Sequence, residues 1–213
     1  MGEIRESYLV AAASAVALLR DPAVAAAWNK PSALTEFSVA GLAGHLSLQL
    51  ARVRQALESA AEEIREPIEL IEHFSRSAWV QSGLDHESNV NVRRGGEAAA
   101  AEGPATLVAT ADDLLANLRA MLPAEPADRV VDLPWASWSL RLDDFLLTRL
   151  IELVVHSDDL AASVGVVTPE LPAEVVDPVV EMLARLAVQR HGATAVVRAL
   201  SRAERAPATI SAF

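Results

Sequence analysis

The stretch DFLLTRLIELVVHSDDLAASVG, residues 144–165, has a strongly apolar helical pattern, and the predicted fold depends on it. Its apolar residues recur at helical spacing on almost every side, and Gly165 is a typical residue to end a helix. Asp143 is the predicted N-cap, because an aspartate side chain accepts hydrogen bonds from the first free backbone N–H groups of a helix. A helix that is apolar all round is expected to be buried, so we expect the protein to be built around it.

Three further segments are long enough to complete a helical bundle. They are residues 3–20, 39–65 and 105–122, which join residues 143–164 as four long helices. Ser38 is the predicted N-cap of the second segment, and Pro104 opens the third. The low aromatic content (4%) and the abundance of alanine agree with a mostly helical chain. The expected fold class is therefore all-α, a four-helix bundle with a short extended excursion before its fourth helix.

Two segments between these helices carry weaker patterns. Residues 128–141 lack helical spacing, and their valines and tryptophans predict a short extended excursion with the form of a hairpin. Trp135 and Trp138 are predicted to pack on the core, with a place at the mouth of a pocket as the alternative. A helix is predicted over residues 67–81, with its proline in the first position, while the polar residues 85–103 receive no assignment.

The C-terminal residues are predicted to form helices as well. The pair Asp177-Pro178 predicts the start of a last long helix that ends at Gly192, followed by a short helix over residues 193–202. We expect a bundle domain over residues 1–165 and a helical C-terminal extension over residues 166–213 that packs on the bundle.

Ionisable residues interrupt the apolar helix at the centre of the fold. Glu152 and His156 are four residues apart and share a helix face, with Arg149 one turn earlier and Asp159 one turn later. Burying such groups is costly unless something compensates them. Two interpretations stay open at this point. The first is a buried ion-pair network that includes Arg149, and the second is a bound divalent cation.

His45 is a second polar residue inside an apolar helix, in the stretch VAGLAGHLSLQL, residues 39–50. The neighbouring Gly41 and Gly44 allow the close approach of another backbone or of a ligand, since glycine otherwise weakens a helix interior. Together with Glu152 and His156, this histidine would complete a set of two imidazoles and one carboxylate. Three protein ligands with an open fourth position are typical of a catalytic zinc site. A closed site would need a fourth ligand, for which Gln49 and Asp159 are candidates.

A second Glu-x-x-x-His pair, Glu69 and His73, shows that the spacing alone is not specific. Charged residues surround this pair in the sequence, namely Glu66, Glu72 and Arg76. We therefore predict that its helix face is solvated.

Composition excludes several classes of function. The net charge is −11 and the sequence pI is about 4.9, so the chain is expected to repel nucleic acid. No apolar run approaches the ~18 uncharged residues of a membrane helix. Glu3 and Glu6 stand where a secretion signal would carry positive charge, so we expect a cytoplasmic protein. The chain has no cysteine, which excludes disulfides, thiolate metal ligands and a cysteine nucleophile.

Two stretches resemble one protein family. FSVAGLAGHLSLQL, residues 37–50, resembles the second-helix signature of the mycothiol-dependent maleylpyruvate isomerase N-terminal family, part of the DinB-like superfamily. LPWASWSLRLDDFLLTRLIELVVHSDDLAASVG, residues 133–165, resembles the segment that leads into and through the fourth bundle helix of that family. The likeness covers roughly residues 5–165.

The resemblance implies a DinB-like four-helix bundle that holds a divalent metal through His45, Glu152 and His156. Zinc is the expected metal, with nickel or iron as alternatives. The resemblance also implies a low-molecular-weight thiol such as mycothiol as cosubstrate, and a small electrophilic molecule as substrate. Arg149 and Asp159 are the candidate catalytic residues, either by orienting the metal ligands or by holding an acidic group of the substrate.

The expected function is therefore a metal-dependent thiol S-transferase or isomerase. Two alternatives stay open. One is a non-catalytic helical binding or regulatory protein whose metal is structural or lost, and the other is a metal-assisted hydrolase. A homodimer is expected if the last long helix exposes an apolar face.

Overall fold

The computed structural model describes residues 2–59, 65–77, 83, 85–133 and 136–213. Its helices are α1 (Glu3–Leu19), α2 (Pro22–Ala26), α3 (Val39–Glu58), α4 (Leu70–Arg76), α5 (Glu87–Ala99), α6 (Pro104–Met121), α7 (Leu142–Val164), α8 (Ala173–His191) and α9 (Ala193–Ser201). Two short strands, β1 (Val130–Asp132) and β2 (Ser139–Arg141), pair antiparallel between α6 and α7. The predicted hairpin is thereby confirmed.

The four long helices form a bundle around one apolar core. α7 packs against α1 and α3, and α6 packs against the same two helices from the other side. Each helix contributes fully or nearly fully buried leucines to the core, among them Leu19, Leu46, Leu118 and Leu150. Burial of such side chains is the main favourable term in folding. The all-α bundle expected from the sequence is confirmed, with the hairpin directly before the fourth helix.

The glycines of α3 allow an unusually close contact with α5, a helix that the sequence analysis did not assign. A Cβ atom on Gly44 would overlap the carbonyl oxygen of Gly96, and one on Gly96 would overlap the carbonyl oxygen of Gly41. The two backbones can touch only because none of these residues has a side chain. The sequence did not predict α5 because the helix is polar: its single buried residue is Gly96, and it has no apolar stripe.

The second long helix begins as predicted and ends early. The Ser38 hydroxyl accepts a hydrogen bond from the Gly41 N–H at 2.8 Å, so Ser38 is the N-cap. The helix ends at Glu58 rather than near residue 65, and Ser59 has extended backbone with φ −70° and ψ 117°. The last buried residue of α3 is Leu57, one residue before the helix ends.

The proline predicted to open the next helix lies in a different structure. Pro67 forms an isolated β-bridge with Ser139, and the Ile68 N–H donates to the Ser139 carbonyl at 3.1 Å. The segment is therefore held by the hairpin as extended chain, and α4 begins only at Leu70. The predicted end near Gln81 lies outside the described residues, as does Trp135.

The N-cap of the central helix lies two residues before the predicted one. α7 follows β2 directly, with Arg141 as the N-cap residue, and Asp143 lies in the first turn. The Asp143 carboxylate instead accepts a hydrogen bond from the buried Arg5 guanidinium of α1 at 2.8 Å. The predicted end is confirmed, since Gly165 has the left-handed backbone conformation with φ 73°.

The last long helix also begins earlier than predicted. α8 starts at Ala173, so Asp177 is not its cap and Pro178 lies inside the helix. A proline has no N–H to donate to the carbonyl four residues earlier, which here belongs to Glu174. The Ser7 hydroxyl of α1 donates to that carbonyl at 2.9 Å and replaces the missing bond. A tertiary contact thus makes the internal proline tolerable.

The C-terminal helices follow a linker over residues 165–172. α8 packs on α1 and α7, and α9 packs on α8. Within the described ranges, none of the helices combines the length and the hydropathy that crossing a bilayer requires.

Candidate metal centre

Three ligand-type side chains meet between α3 and α7. His45 comes from α3, while Glu152 and His156 come from successive turns of α7. The His45 Nε2 atom lies 3.0 Å from the Glu152 Oε2 atom, and the His156 Nε2 atom lies 3.3 Å from the same oxygen. One ligand atom of each residue lies within 4.8 Å of the others. The structure therefore brings together the three residues that the sequence analysis selected.

The cluster is more buried on its α3 side than on its α7 side. The His45 side chain is 4% exposed, whereas the side chains of Glu152 and His156 are 15% and 16% exposed. Phe37, in the loop before α3, places its ring edge-to-face against His45 with 5.9 Å between the ring centroids. The two α7 residues are therefore the members of the cluster that lie nearer to solvent.

Electrostatics hold the Glu152 carboxylate in its ionised form. Burial alone would raise the pKa of Glu152, but hydrogen bonds with His156 and His45 outweigh it and lower the pKa well below its ordinary value. Burial is the larger effect at His45 and lowers the pKa of that imidazole despite the opposing carboxylate. An ionised carboxylate and a neutral imidazole are the forms in which these groups bind a cation.

His156 differs because a second carboxylate holds its other ring nitrogen. The Asp159 Oδ2 atom lies 2.9 Å from the His156 Nδ1 atom. Burial would lower the pKa of His156, but the hydrogen bonds to Asp159 and Glu152 outweigh it and raise the pKa to about 9. A carboxylate on the far nitrogen is the usual way in which proteins orient a metal-binding histidine. Asp159 is therefore placed to orient His156.

Arg149 does not form the ion pair with Glu152 that the first interpretation required. Its guanidinium donates to the Gln49 Oε1 atom at 2.8 Å and to the Thr148 hydroxyl at 3.0 Å. The polar network at the site thus joins Glu152 to the two histidines, with Asp159 on His156 and Gln49 beside His45. Arg149 is linked to this network by its hydrogen bond to Gln49.

The three side chains fit a divalent cation. Two imidazole nitrogens converge on one carboxylate oxygen, and all three atoms carry lone pairs when both histidines are neutral with their protons on Nδ1. Imidazole and carboxylate are normal zinc ligands. The two candidates for a fourth ligand have other partners, since the Gln49 Oε1 atom faces Arg149 and the Asp159 carboxylate faces His156. Among the residues that the structure describes, the cluster of ligand-type side chains therefore has three members.

Sequence analysis missed one side chain next to the site. Arg52 follows His45 by seven residues, so it shares the helix face of His45 and Gln49. Burial lowers the pKa of Arg52, and the negative charge of Glu152 opposes that effect. The i, i+7 spacing from His45 was a usable signal for this residue.

The second Glu-x-x-x-His pair is solvated only at Glu69, which is exposed, and the prediction is wrong for His73. His73 is 6% exposed, and the Trp138 Nε1–H donates to its Nδ1 atom at 3.1 Å. Burial and the nearby Arg149 charge lower the pKa of His73 to about 4. The hairpin covers this face, which the charged neighbours in the sequence could not reveal. Trp138 is partly buried against the core, as the packing prediction expected.

A helical bundle with two histidines and one carboxylate converging at one site defines a candidate metal-binding protein of the DinB-like class. The family comparison agrees with this class. The model of the mycothiol maleylpyruvate isomerase N-terminal domain matches residues 9–161, more than two thirds of the chain. The chain belongs to this family, and the matched range includes all three converging residues. No curated protein and no solved structure matches the chain.

Proposed function

We propose that this protein is a divalent-metal-dependent enzyme that uses a low-molecular-weight thiol of the mycothiol type. It would transfer that thiol to a small electrophilic molecule or isomerise the molecule with its help. The observation that carries the proposal is the three-ligand set of His45, Glu152 and His156. The family match to a mycothiol-related domain supports the choice of a thiol as cosubstrate.

In this proposal His45, Glu152 and His156 bind the metal, for which we expect zinc. A metal ion in such a site lowers the pKa of a bound thiol, so that the reactive thiolate exists at neutral pH. Asp159 acts as a positioning residue that keeps the His156 ring directed at the metal. The thiol must come from outside, because the chain has no cysteine of its own.

The solvent-facing side of Glu152 and His156 is where we expect the thiol and the electrophile to enter. The chain supplies no fourth ligand there from Gln49 or Asp159, so an exogenous group can occupy that position. This openness favours an enzyme over a protein with a closed structural metal site.

The first experiment is elemental analysis of untagged wild-type protein beside His156→Ala. We expect about one zinc, nickel or iron per chain in the wild type and its loss in the variant. His86→Ala is the matched control, because His86 is an exposed N-cap residue of α5, remote in sequence from the three ligands, and should leave the metal content unchanged. Wild-type protein that folds but binds no metal, even after incubation with zinc, would refute the metalloenzyme proposal and favour a helical binding module.

A second assay separates thiol chemistry from hydrolysis. Turnover of electrophilic test substrates that requires both the metal and an added thiol supports the proposal. Turnover that requires the metal alone identifies a metal-assisted hydrolase instead.

Three predictions from the sequence are carried forward as proposals. The division into a bundle domain over residues 1–165 and an extension over residues 166–213 is one, and the cytoplasmic location is another. The third is a homodimer through α8, on which Val180 and Val188 are 55% and 38% exposed. Light scattering on purified protein tests the dimer directly.

A further inference from the structure

Exposed apolar side chains are concentrated in the C-terminal part of the chain. Among the described residues, seven large hydrophobic side chains are exposed, and six of them lie between residues 167 and 213. Two of the six, Val180 and Val188, belong to α8. Single apolar residues are normal on a protein surface, but a group of them on neighbouring elements is typical of an interaction surface. The C-terminal helices are therefore the candidate interaction surface.

The apolar residues of α8 that point away from the bundle form one stripe along the helix. Val180, Ala184 and Val188 follow each other at intervals of four residues, so they share one helix face. The buried residues Val179 and Leu186 belong to the apolar core and lie on the opposite side of the helix. The stripe therefore faces solvent, with Ala184 at its midpoint.

Charge is segregated along the same part of the chain. Residues 166–184 contain no lysine or arginine and four acidic residues, which are Glu170, Glu174, Asp177 and Glu181. Residues 185–213 contain five arginines and one acidic residue. The sign of the charge changes between Glu181 and Arg185, beside the midpoint of the apolar stripe. α8 is therefore acidic in its N-terminal half and basic in its C-terminal half, and α9 continues the basic part.

This pattern complements itself when two α8 helices lie side by side in opposite directions. The acidic half of each helix then faces the basic half of the other. With Ala184 at the centre, Val180 of one copy lies beside Val188 of the second copy. Glu181 of one copy comes within one helical turn of Arg185 of the other, and both residues are exposed. A parallel pair would instead place like charges together.

We propose that two copies of the chain pair through α8 in opposite directions, about a two-fold axis that passes Ala184. The inference rests on the homodimer proposed above, to which it assigns an interface. A two-fold axis makes every contact occur twice, so one self-complementary patch is enough and the assembly closes at two copies. The small side chain of Ala184 lets the two helices approach each other at the axis.

A second copy fits this face better than a nucleic acid or an anionic membrane does. Both of those partners carry negative charge, which the arginines would attract but Asp177 and Glu181 would repel. A second copy supplies both signs of charge in the matching order. It also brings apolar residues together at the centre with charged residues around them, which is the usual arrangement of a protein interface.

Sedimentation equilibrium on the full chain tests the pairing and the charges together. We expect a dimer with a dissociation constant in the micromolar range, because one helix pair covers less area than a standard interface. Arg185→Glu brings glutamates together at both symmetry-related positions and should weaken the dimer roughly tenfold or more. Combining it with Glu181→Arg restores opposite charges between the copies and should recover most of the affinity. Arg119→Glu reverses an exposed arginine on α6 and should leave the dimer unchanged.

Disulfide cross-linking tests the direction of pairing, and it is specific because the chain has no cysteine of its own. In Ala184→Cys the two introduced thiols lie at the axis, so mild oxidation should give a disulfide-linked dimer. Asp177→Cys is the matched control on the same side of the helix. Its two copies would lie about fourteen residues apart along the antiparallel pair, or about 21 Å, which is too far for a disulfide. A parallel pair would link both variants, because each residue then faces its own copy.

The outcomes separate the interface from the other proposals. A chain that stays monomeric up to about 0.5 mM, above what a weak specific interface needs, overturns the inference together with the homodimer and leaves this face to another partner. A dimer that is insensitive to Arg185→Glu overturns the antiparallel interface alone, as does one in which Asp177→Cys links as readily as Ala184→Cys. Circular dichroism confirms that each variant compared is folded. None of these measurements depends on a bound metal, so their failure would leave the proposed metal site in place.

Discussion

Metal binding should release a proton from His156. The number of protons released per metal ion therefore tests whether His156 binds the metal. The hydrogen bonds to Asp159 and Glu152 raise the pKa of His156 to about 9, so the imidazole is positively charged at neutral pH. A cation can bind the His156 Nε2 atom only after that proton leaves. The pKa values of Glu152 and His45 are both lowered, so these groups need no change near neutral pH.

The magnitude follows from the distance between the working pH and this pKa. A pH of 7 lies two units below the pKa of about 9, and the need to remove this proton weakens the apparent affinity about 100-fold, or about 3 kcal/mol. From pH 7 to pH 8.5 zinc binding should tighten roughly 25-fold, as the neutral fraction of His156 rises. A histidine with the ordinary pKa of about 6.5 would give less than about twofold over the same interval.

Isothermal titration of zinc at pH 7.5, in buffers of different ionisation enthalpy, counts the protons. We expect about one proton per zinc from His156, against roughly 0.1 for a histidine of ordinary pKa. Asp159→Asn removes the carboxylate that raises the pKa and should lower the count. The difference between wild type and Asp159→Asn isolates the His156 proton from any proton lost by metal-bound water.

Asp158→Asn is the matched control for this experiment. Asp158 is the neighbouring carboxylate, but it is exposed and accepts a hydrogen bond from the Thr168 hydroxyl at 2.6 Å. This variant should release as many protons as the wild type. The reasoning is refuted if the wild type shows no rise in affinity between pH 7 and pH 8.5, or if both variants change the count equally.

Two further predictions concern the packing that supports the site, and urea unfolding measures both. Gly44→Ala should lower the free energy of unfolding by about 1–3 kcal/mol, because the new methyl group would overlap the Gly96 carbonyl. Gly95→Ala should instead raise it by about 1 kcal/mol, since its Cβ would meet only the Leu48 side chain at 3.7 Å; equal gains in both variants would contradict the close contact. Ser7→Ala should cost about 1 kcal/mol in the wild type and much less in Pro178→Ala, where the restored N–H can bind the Glu174 carbonyl. Additive effects of the two substitutions would show that Ser7 does not replace the missing bond.

The cluster of His45, Glu152 and His156 could be predicted in part from local spacing. Glu152 and His156 are four residues apart on a helix, and this places them on one face in any fold that keeps the helix. His45 could be added because a histidine that follows two glycines in an apolar helix needs a structural or functional reason. The family resemblance then associated it with the other two residues, and the structure places their ligand atoms within 4.8 Å of each other.

The partners of these residues could not be predicted in the same way. Arg149 and Glu152 lie close on one helix, yet the arginine binds Gln49 of α3 instead. The charged neighbours of His73 predicted a solvated side chain, but Trp138 of the hairpin donates a hydrogen bond to it. In both cases the deciding contact comes from an element distant in sequence, and local charge patterns contain no information about it.

The helical class, the four bundle helices and the three residues of the candidate metal centre could be predicted from the amino-acid sequence. These features follow from apolar periodicity and from residue chemistry, which act over one or two helical turns. The packing of the helices was needed to show that α5 lies beside the glycines of α3, that Pro178 is tolerated inside α8, and that Gln49 faces Arg149. Each of these depends on a hydrogen bond or a backbone contact between segments far apart in the chain, and such contacts exist only once the helices have packed.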